Sequence, residues 1–170
     1  VIHAIEPHDS AERYTGLGVD VIQGSARIVS PWQVEITETD GQSRTLSTRS
    51  IVIAAGARPF VPPIPGIEQV GYLTSDTVWD LRQSPGRLLV LGGGPIGCEL
   101  AQAFARIGAS SDSQVTLVDM APRLLPREDA DVSALVLQRF TAEGIAVRLG
   151  HAAKKFIIEN DEKLLIAEHE

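Results

Sequence analysis

The stretch LLVLGGGPIGCELAQAFARIG, residues 88–108, decides the fold. Leu88–Leu91 reads as a buried strand, and three glycines follow it directly. Pro95–Ile107 then has helical spacing and ends at Gly108, expected at the C′ position. Gly92, Gly94 and Gly97 fit G-x-G-x-x-G between that strand and that helix. The first glycine permits a sharp turn. The second removes a side chain that would collide with a pyrophosphate, and the third lets helix and strand pack closely. The helix N-terminus adds unpaired N–H groups and the positive end of a dipole. Gly92, Gly93, Gly94, Pro95, Ile96 and Gly97 are therefore the expected phosphate-side contacts.

Downstream, an acid stands where such a loop needs one. Asp119 ends the run VTLVD, about 20 residues beyond the last glycine, where a carboxylate can accept hydrogen bonds from an adenosine ribose. Met120 beside it is assigned to the same site. A carboxylate there repels the 2′-phosphate of NADP, so NAD is the expected ligand, although Arg123 and Arg127 lie close enough to blunt the repulsion.

The pattern around this loop alternates strand and helix. Val115–Asp119 reads as a second strand. Asp129–Glu143 reads as a second helix with Val132, Leu135, Val136 and Phe140 on one face and Gly144 after its end. Ile145–Leu149 reads as a third strand. This βαβαβ order implies a Rossmann-like parallel sheet with right-handed crossovers and flanking helices. KKFIIENDEKLLIAEHE alternates about Asn160-Asp161 and predicts a hairpin.

Upstream the pattern differs. Residues 6–17 suit a short helix or loop. Residues 18–31 and 32–56 alternate apolar and polar, with Asp40-Gly41 as a hairpin signal, so 20–53 predicts an antiparallel β-meander. ARPFVPPIPG, residues 57–66, has four prolines and reads as a linker. Thr74-Ser75-Asp76 is placed to cap a short helix through Leu81. The fold class is α/β, divided into 1–58, a linker at 59–72, and 73–170.

Composition narrows the function. With 44% hydrophobic and 22% charged residues the chain has material for a core, which argues against disorder. A net charge of −7 and a pI near 5.1 give no attraction to nucleic acid or anionic membrane. No apolar run approaches the roughly 20 residues that span a bilayer. Cys98 is the sole cysteine, so no disulfide forms within the chain and a cytoplasmic location is expected. The chain opens on Val1 and shows no signal peptide, which suits a fragment. His3, His8, His151 and His169 share no spacing, so no metal site is expected. No Gly-x-Ser-x-Gly elbow supports a hydrolase. Trp32 and Trp79 read as packing residues, and the acidic C-terminal run as a solvated face.

Taken together, SIVIAAGARPFVPPIPG, TSDTVWDL, RLLVLGGGPIGCELAQAFARIG and VTLVDMAPRLLPRED resemble the pyridine nucleotide–disulfide oxidoreductases. These flavoenzymes include lipoamide dehydrogenases, mercuric reductases and glutathione reductases. The resemblance covers residues 50–130, and TSD and LPRED look most like the lipoamide dehydrogenase and mercuric reductase branch. It implies several roles. Ala54-Ala55-Gly56 matches an Ala-Thr-Gly turn where the chain passes the FAD, with Ala55 replacing the threonine, so residues 1–58 would be part of an FAD-binding domain. Glu99 matches a glutamate near the nicotinamide and flavin rings, on the first turn of its helix, where the dipole favours an acid in any case. In the family the glycine loop after the Ala-Thr-Gly turn holds the nicotinamide dinucleotide and not FAD.

The resemblance also implies what lies elsewhere. The FAD glycine loop and the redox cysteine pair precede this region, and a last sheet strand and a dimerisation domain follow it. Cys98 is then a small buried thiol. The sheet keeps an exposed edge, and the whole protein is expected to be a homodimer with FAD held mainly by other parts. ASSDSQ, between Gly108 and Val115, is longer than the usual link and reads as a surface loop at the end opposite the cofactor. The implied activity is hydride transfer from NAD(P)H to FAD and on to a disulfide or related acceptor, whose identity the stretch does not give. The fragment alone is expected to bind NAD weakly and to be inactive. An NAD-binding or sensing module without redox chemistry, and a Rossmann-like piece that binds nothing, are the alternatives.

Overall fold

A computed structural model describes residues 6–108 and 113–169. The chain divides into two compact units, Val1–Gly56 and Ala57–Glu170.

In the first unit, helix α1 (Ala11–Gly16) starts at Ser10, whose hydroxyl accepts the Arg13 N–H. Strands β1 (Gly24–Ser30), β2 (Gln33–Glu38) and β3 (Ser43–Ser47) form an antiparallel meander in that order. Asp40 shapes the β2–β3 turn by accepting the Gln42 N–H at 2.9 Å, and Gly41 takes φ 85°. Ile28, Val34 and Leu46 stand in register across the three strands. The meander stops short of the expected residue 53. The Thr48 hydroxyl exchanges hydrogen bonds with the backbone of Ser50, a local turn that competes with strand pairing. Ser50–Ile53 accordingly form no strand, and Val52 is 87% exposed. Trp32 lies in the β1–β2 turn and is exposed, contrary to its reading as a packing residue.

In the second unit the end of the proline-rich stretch, Pro65-Gly66, docks on the C-terminal hairpin. The Phe156 N–H donates to the Pro65 carbonyl at 2.7 Å, and a Cβ on Gly66 would overlap the Phe156 carbonyl oxygen. Gly66, at φ 84°, then opens helix α2 (Ile67–Val70), which falls inside the expected linker. The helix expected through Leu81 is a single 3-10 turn, Val78–Asp80. Thr74 spends its hydrogen bonds within the turn: its N–H meets the Thr77 hydroxyl and its hydroxyl accepts the Asp76 N–H. Trp79 is also exposed, its indole N–H on the Ser75 carbonyl.

Strand β4 (Arg87–Leu91), helix α3 (Pro95–Ile107), strand β5 (Gln114–Val118), helix α4 (Ala130–Ala142) and strand β6 (Ala146–Arg148) follow. The three strands form a parallel sheet ordered β4-β5-β6. Cys98 and Ala101 of α3 pack with Val115, Leu117, Leu124, Phe140 and Ile145 to make the core. Of the longer link at 109–114, residues 109–112 lie outside the described residues, and Gln114 already belongs to β5.

Two helix details differ from expectation. The buried stripe of α4 is Ser133, Val136, Leu137 and Phe140, whereas Val132 and Leu135 are exposed. Those four positions have the i, i+3, i+4, i+7 spacing, but the first is a serine, whose hydroxyl reaches the Leu125 carbonyl at 3.4 Å. Gly108 is the C-cap of α3 at φ −83° and not a left-handed C′ residue. Gly144 after α4 does take that role, at φ 77°. Its N–H reaches the Thr141 carbonyl, the Ile145 N–H reaches that of Phe140, and Phe140 and Ile145 share the core.

Strands β7 (His151–Glu159) and β8 (Glu162–His169) close the chain as the expected hairpin. Asn160 and Asp161, at φ 51° and 62°, form its turn.

Candidate dinucleotide site

The site lies at the carboxyl ends of β4 and β5, and each glycine of the loop has a separate cause. Gly92 sits at φ 112°, closed to an L side chain, while its N–H continues the ladder onto the Val118 carbonyl at 2.9 Å. A Cβ on Gly97 would overlap the Gly92 carbonyl oxygen, so this glycine brings helix against strand. Gly94 differs: a Cβ there would meet nothing within 4 Å. No protein neighbour therefore requires a glycine at 94, and the space beside its α-carbon is open.

Pro95 occupies the first helical position, where its missing N–H costs nothing. The N–H groups of Ile96 and Gly97 belong to a first turn that has no intrahelical acceptors for them. Ile96 is exposed, as is Glu99. Glu99 is the fifth residue of α3 and not on its first turn, which contains no acid. The helix dipole does not favour an acid there, since that effect fades beyond the terminal turn.

Asp119 faces the loop. One of its carboxylate oxygens accepts the Gly93 N–H in a short contact, and the other accepts the Ala121 N–H at 2.6 Å. Its backbone is held as well, by the Arg148 carbonyl and the His151 N–H, each at 2.9 Å. A Cβ on Gly93 would come within 2.9 Å of Leu124 Cδ2 and 3.1 Å of the Asp119 carboxylate, so position 93 has no room for a side chain. Met120, next to Asp119, is 65% exposed. Arg123 turns its guanidinium to the Pro126 carbonyl, and Arg127 is exposed.

A strap, residues 119–125, packs against the loop at Gly93, and no motif in the sequence announces it. Leu125 holds φ 48°, a conformation costing a non-glycine residue about 1–3 kcal/mol. Its N–H donates to the Gly93 carbonyl at 2.8 Å. Leu124, 1% exposed, fills the space under Gly93. No local signal marks Leu125 for this role. The adjoining Pro126 argues only against a helix at that point.

Cys98 lies beneath the loop, its thiol donating to the Gly93 carbonyl at 3.4 Å. Burial pushes its pKa up to about 11, helped by the negative charges of Asp119 and Glu99. It is a buried, protonated thiol, as expected. Ala54, Ala55 and Gly56 lie in the other unit, exposed and without regular structure. His151 and His169 are cross-strand partners with ring centres 4.7 Å apart, a proximity their spacing hides. His3 falls outside the described residues. Among the described residues no group of three or more His, Cys, Asp or Glu is placed to hold a metal. No described helix is long and apolar enough to cross a membrane.

Comparison with known proteins gives the family. Residues 3–170 match the family described as pyridine nucleotide-disulphide oxidoreductase. The chain belongs to the pyridine nucleotide-disulphide oxidoreductases. Mercuric reductase of Streptomyces lividans is 41% identical over 81% of this chain and 29% of its own length. Dihydrolipoyl dehydrogenase of Chlorobaculum parvum is 39% identical over 78% of this chain and 27% of its own. The chain thus spans under a third of these oxidoreductases. Among solved structures, a Cu(II) complex of a cysteine mutant of the flavoprotein disulfide reductase RclA from Escherichia coli superposes with TM-score 0.71 at 29% identity. That match covers 94% of this chain and 36% of RclA. LpdA from Mycobacterium tuberculosis superposes with TM-score 0.72 at 25% identity, over 94% of this chain and 35% of LpdA.

Proposed function

We propose that residues 57–170 form the NAD(P)H-binding part of a flavin-dependent oxidoreductase, and that the loop takes NAD in preference to NADP. The observation that carries this reading is the open space at Gly94 beside a carboxylate already aimed at the loop. The first-turn N–H groups of Ile96 and Gly97 would hold the pyrophosphate, for which the space beside Gly94 is open. Asp119 accepts from the adenosine ribose hydroxyls with its remaining lone pairs, and Met120 flanks the adenosine. A bound dinucleotide would supply hydride chemistry, with Glu99, farther along α3, toward its nicotinamide end. In the whole protein Ala54-Ala55-Gly56 would supply part of the contacts to an FAD, which would accept the hydride and serve a disulfide or related group as final acceptor. This chain alone is inactive, because the redox cysteines and most of the flavin contacts belong to other parts of the homodimer. The whole protein works in the cytoplasm.

Calorimetric titration of the chain with NADH, NADPH and FAD tests the assignment. NADH is expected to bind tightest, NADPH more weakly, and FAD without stoichiometry. Tightest binding by FAD reverses the identity of the loop.

A further inference from the structure

Gly93 stands in the middle of the phosphate loop, yet both polar groups of its backbone are already spent. Its N–H goes to the Asp119 carboxylate, and its carbonyl takes the Leu125 N–H at 2.8 Å and the Cys98 thiol at 3.4 Å. Leu124 and the Asp119 carboxylate fill the place a Cβ would occupy. Leu125 takes φ 48° to bring its N–H to that carbonyl, and its own carbonyl is held by the Glu128 N–H at 2.9 Å and the Ser133 hydroxyl at 3.4 Å. A backbone outlier of this kind persists only where surrounding bonds over-determine it, and here those bonds converge on the loop.

We propose that Leu125 is a positioning residue for the dinucleotide: residues 119–125 grip Gly93 from both sides and set the loop, so Gly93 binds no phosphate itself. This rests on the dinucleotide reading of the loop. It has a consequence for specificity. The Asp119 carboxylate is fixed by Gly93 and Ala121 and does not swing aside for a 2′-phosphate, so the preference for NAD is built into the strap as well as into the charge.

The test follows the amide resonances of the 170-residue chain by NMR while NADH is added. The Gly93 and Leu125 amides are expected to exchange slowly with solvent and to stay within a small shift on titration, while those of Gly94, Ile96 and Gly97 move. Rapid exchange at Gly93 or Leu125 overturns the grip whether or not NADH binds. A Gly93 shift as large as those of its neighbours overturns its exclusion from the phosphate. If no amide moves, the dinucleotide reading fails, and slow exchange still decides for the grip. Two variants separate positioning from packing. Leu125→Gly keeps the N–H and permits positive φ, so it is expected to melt lower yet hold NADH within about threefold. Leu125→Pro removes the donor and fixes φ near −65°, and is expected to lose NADH affinity by at least tenfold. A folded Leu125→Pro chain that binds NADH like the parent overturns the role given to Leu125.

Discussion

Asp119 and Cys98 both hydrogen-bond the backbone of Gly93, Asp119 at its N–H and Cys98 at its carbonyl, but their surroundings differ. Asp119 takes backbone N–H donors on both oxygens and stays beside the open loop, whereas the Cys98 thiol is buried and lies near two negative charges. Asp119→Ser is expected to narrow the gap between NADH and NADPH chiefly by weakening NADH, by about tenfold or roughly 1.4 kcal/mol. Parallel titrations of parent and variant measure it, and an unchanged ratio removes Asp119 from the site. With its pKa near 11, Cys98 holds thiolate at pH 8 in only about one molecule in a thousand, and the thiolate is the reactive form. Maleimide labelling of the folded chain is expected to be slow and to become fast in guanidinium. Rapid labelling of the native chain contradicts the burial of Cys98.

At the scale of elements, α3 and α4 are tied at their C-terminal ends by Glu143. It accepts from Gln102 at 3.1 Å to each oxygen and from Arg106 at 2.7 and 2.9 Å, with Arg139 at 4.0 Å. An acid at a helix C-terminus is poorly placed for the dipole, and these cations offset that. Hydrogen bonding to Arg106 lowers the Glu143 pKa below its ordinary 4.5, against the opposing effect of desolvation. A group lowered on folding stabilises fully above its unfolded pKa, and loses that contribution as pH falls through the folded value. Glu143→Gln is therefore expected to be less stable than the parent at pH 7 and to converge on it below about pH 4.5. Melting temperatures at pH 7 and pH 3.5 give the comparison, and a difference that persists unchanged at pH 3.5 rules the tie out. Sequence revealed part of this level. The Gly92–Gly97 spacing, the βαβαβ order and the Asn160-Asp161 turn were legible because each rests on local chemistry. The α4 stripe was not, because a serine opens it and apolar Leu135 faces solvent. Neither were the grip of Leu125 and the tie at Glu143, which depend on residues far apart in the chain meeting in space.

The whole molecule combines two units of different make-up, and one consequence can be measured. Apart from Ile36, the buried apolar side chains of the described residues lie in Ala57–Glu170, including the cluster around α3, α4 and β5. The glycine loop proposed to take the dinucleotide belongs to that unit. A ligand that binds only the folded unit stabilises it by about 2.7 kcal/mol at a hundredfold excess over its Kd. For a unit of this size that corresponds to a rise in melting temperature of about 10 °C or more. Hydrogen exchange read segment by segment, with and without NADH, locates the gain. Protection is expected to increase through β4, α3, β5 and the strap at 119–125, because opening any of them releases the ligand. Strands β1 to β3 are expected to exchange at the same rate in both samples. Equal gains in both units would mean that the two melt as one body, or that the dinucleotide also engages the meander. NADH added to a chain carrying Gly97→Ala separates these outcomes. That substitution drives a methyl into the Gly92 carbonyl and is expected to disable the loop, so any NADH-dependent protection that remains in β1 to β3 marks a second contact for the ligand.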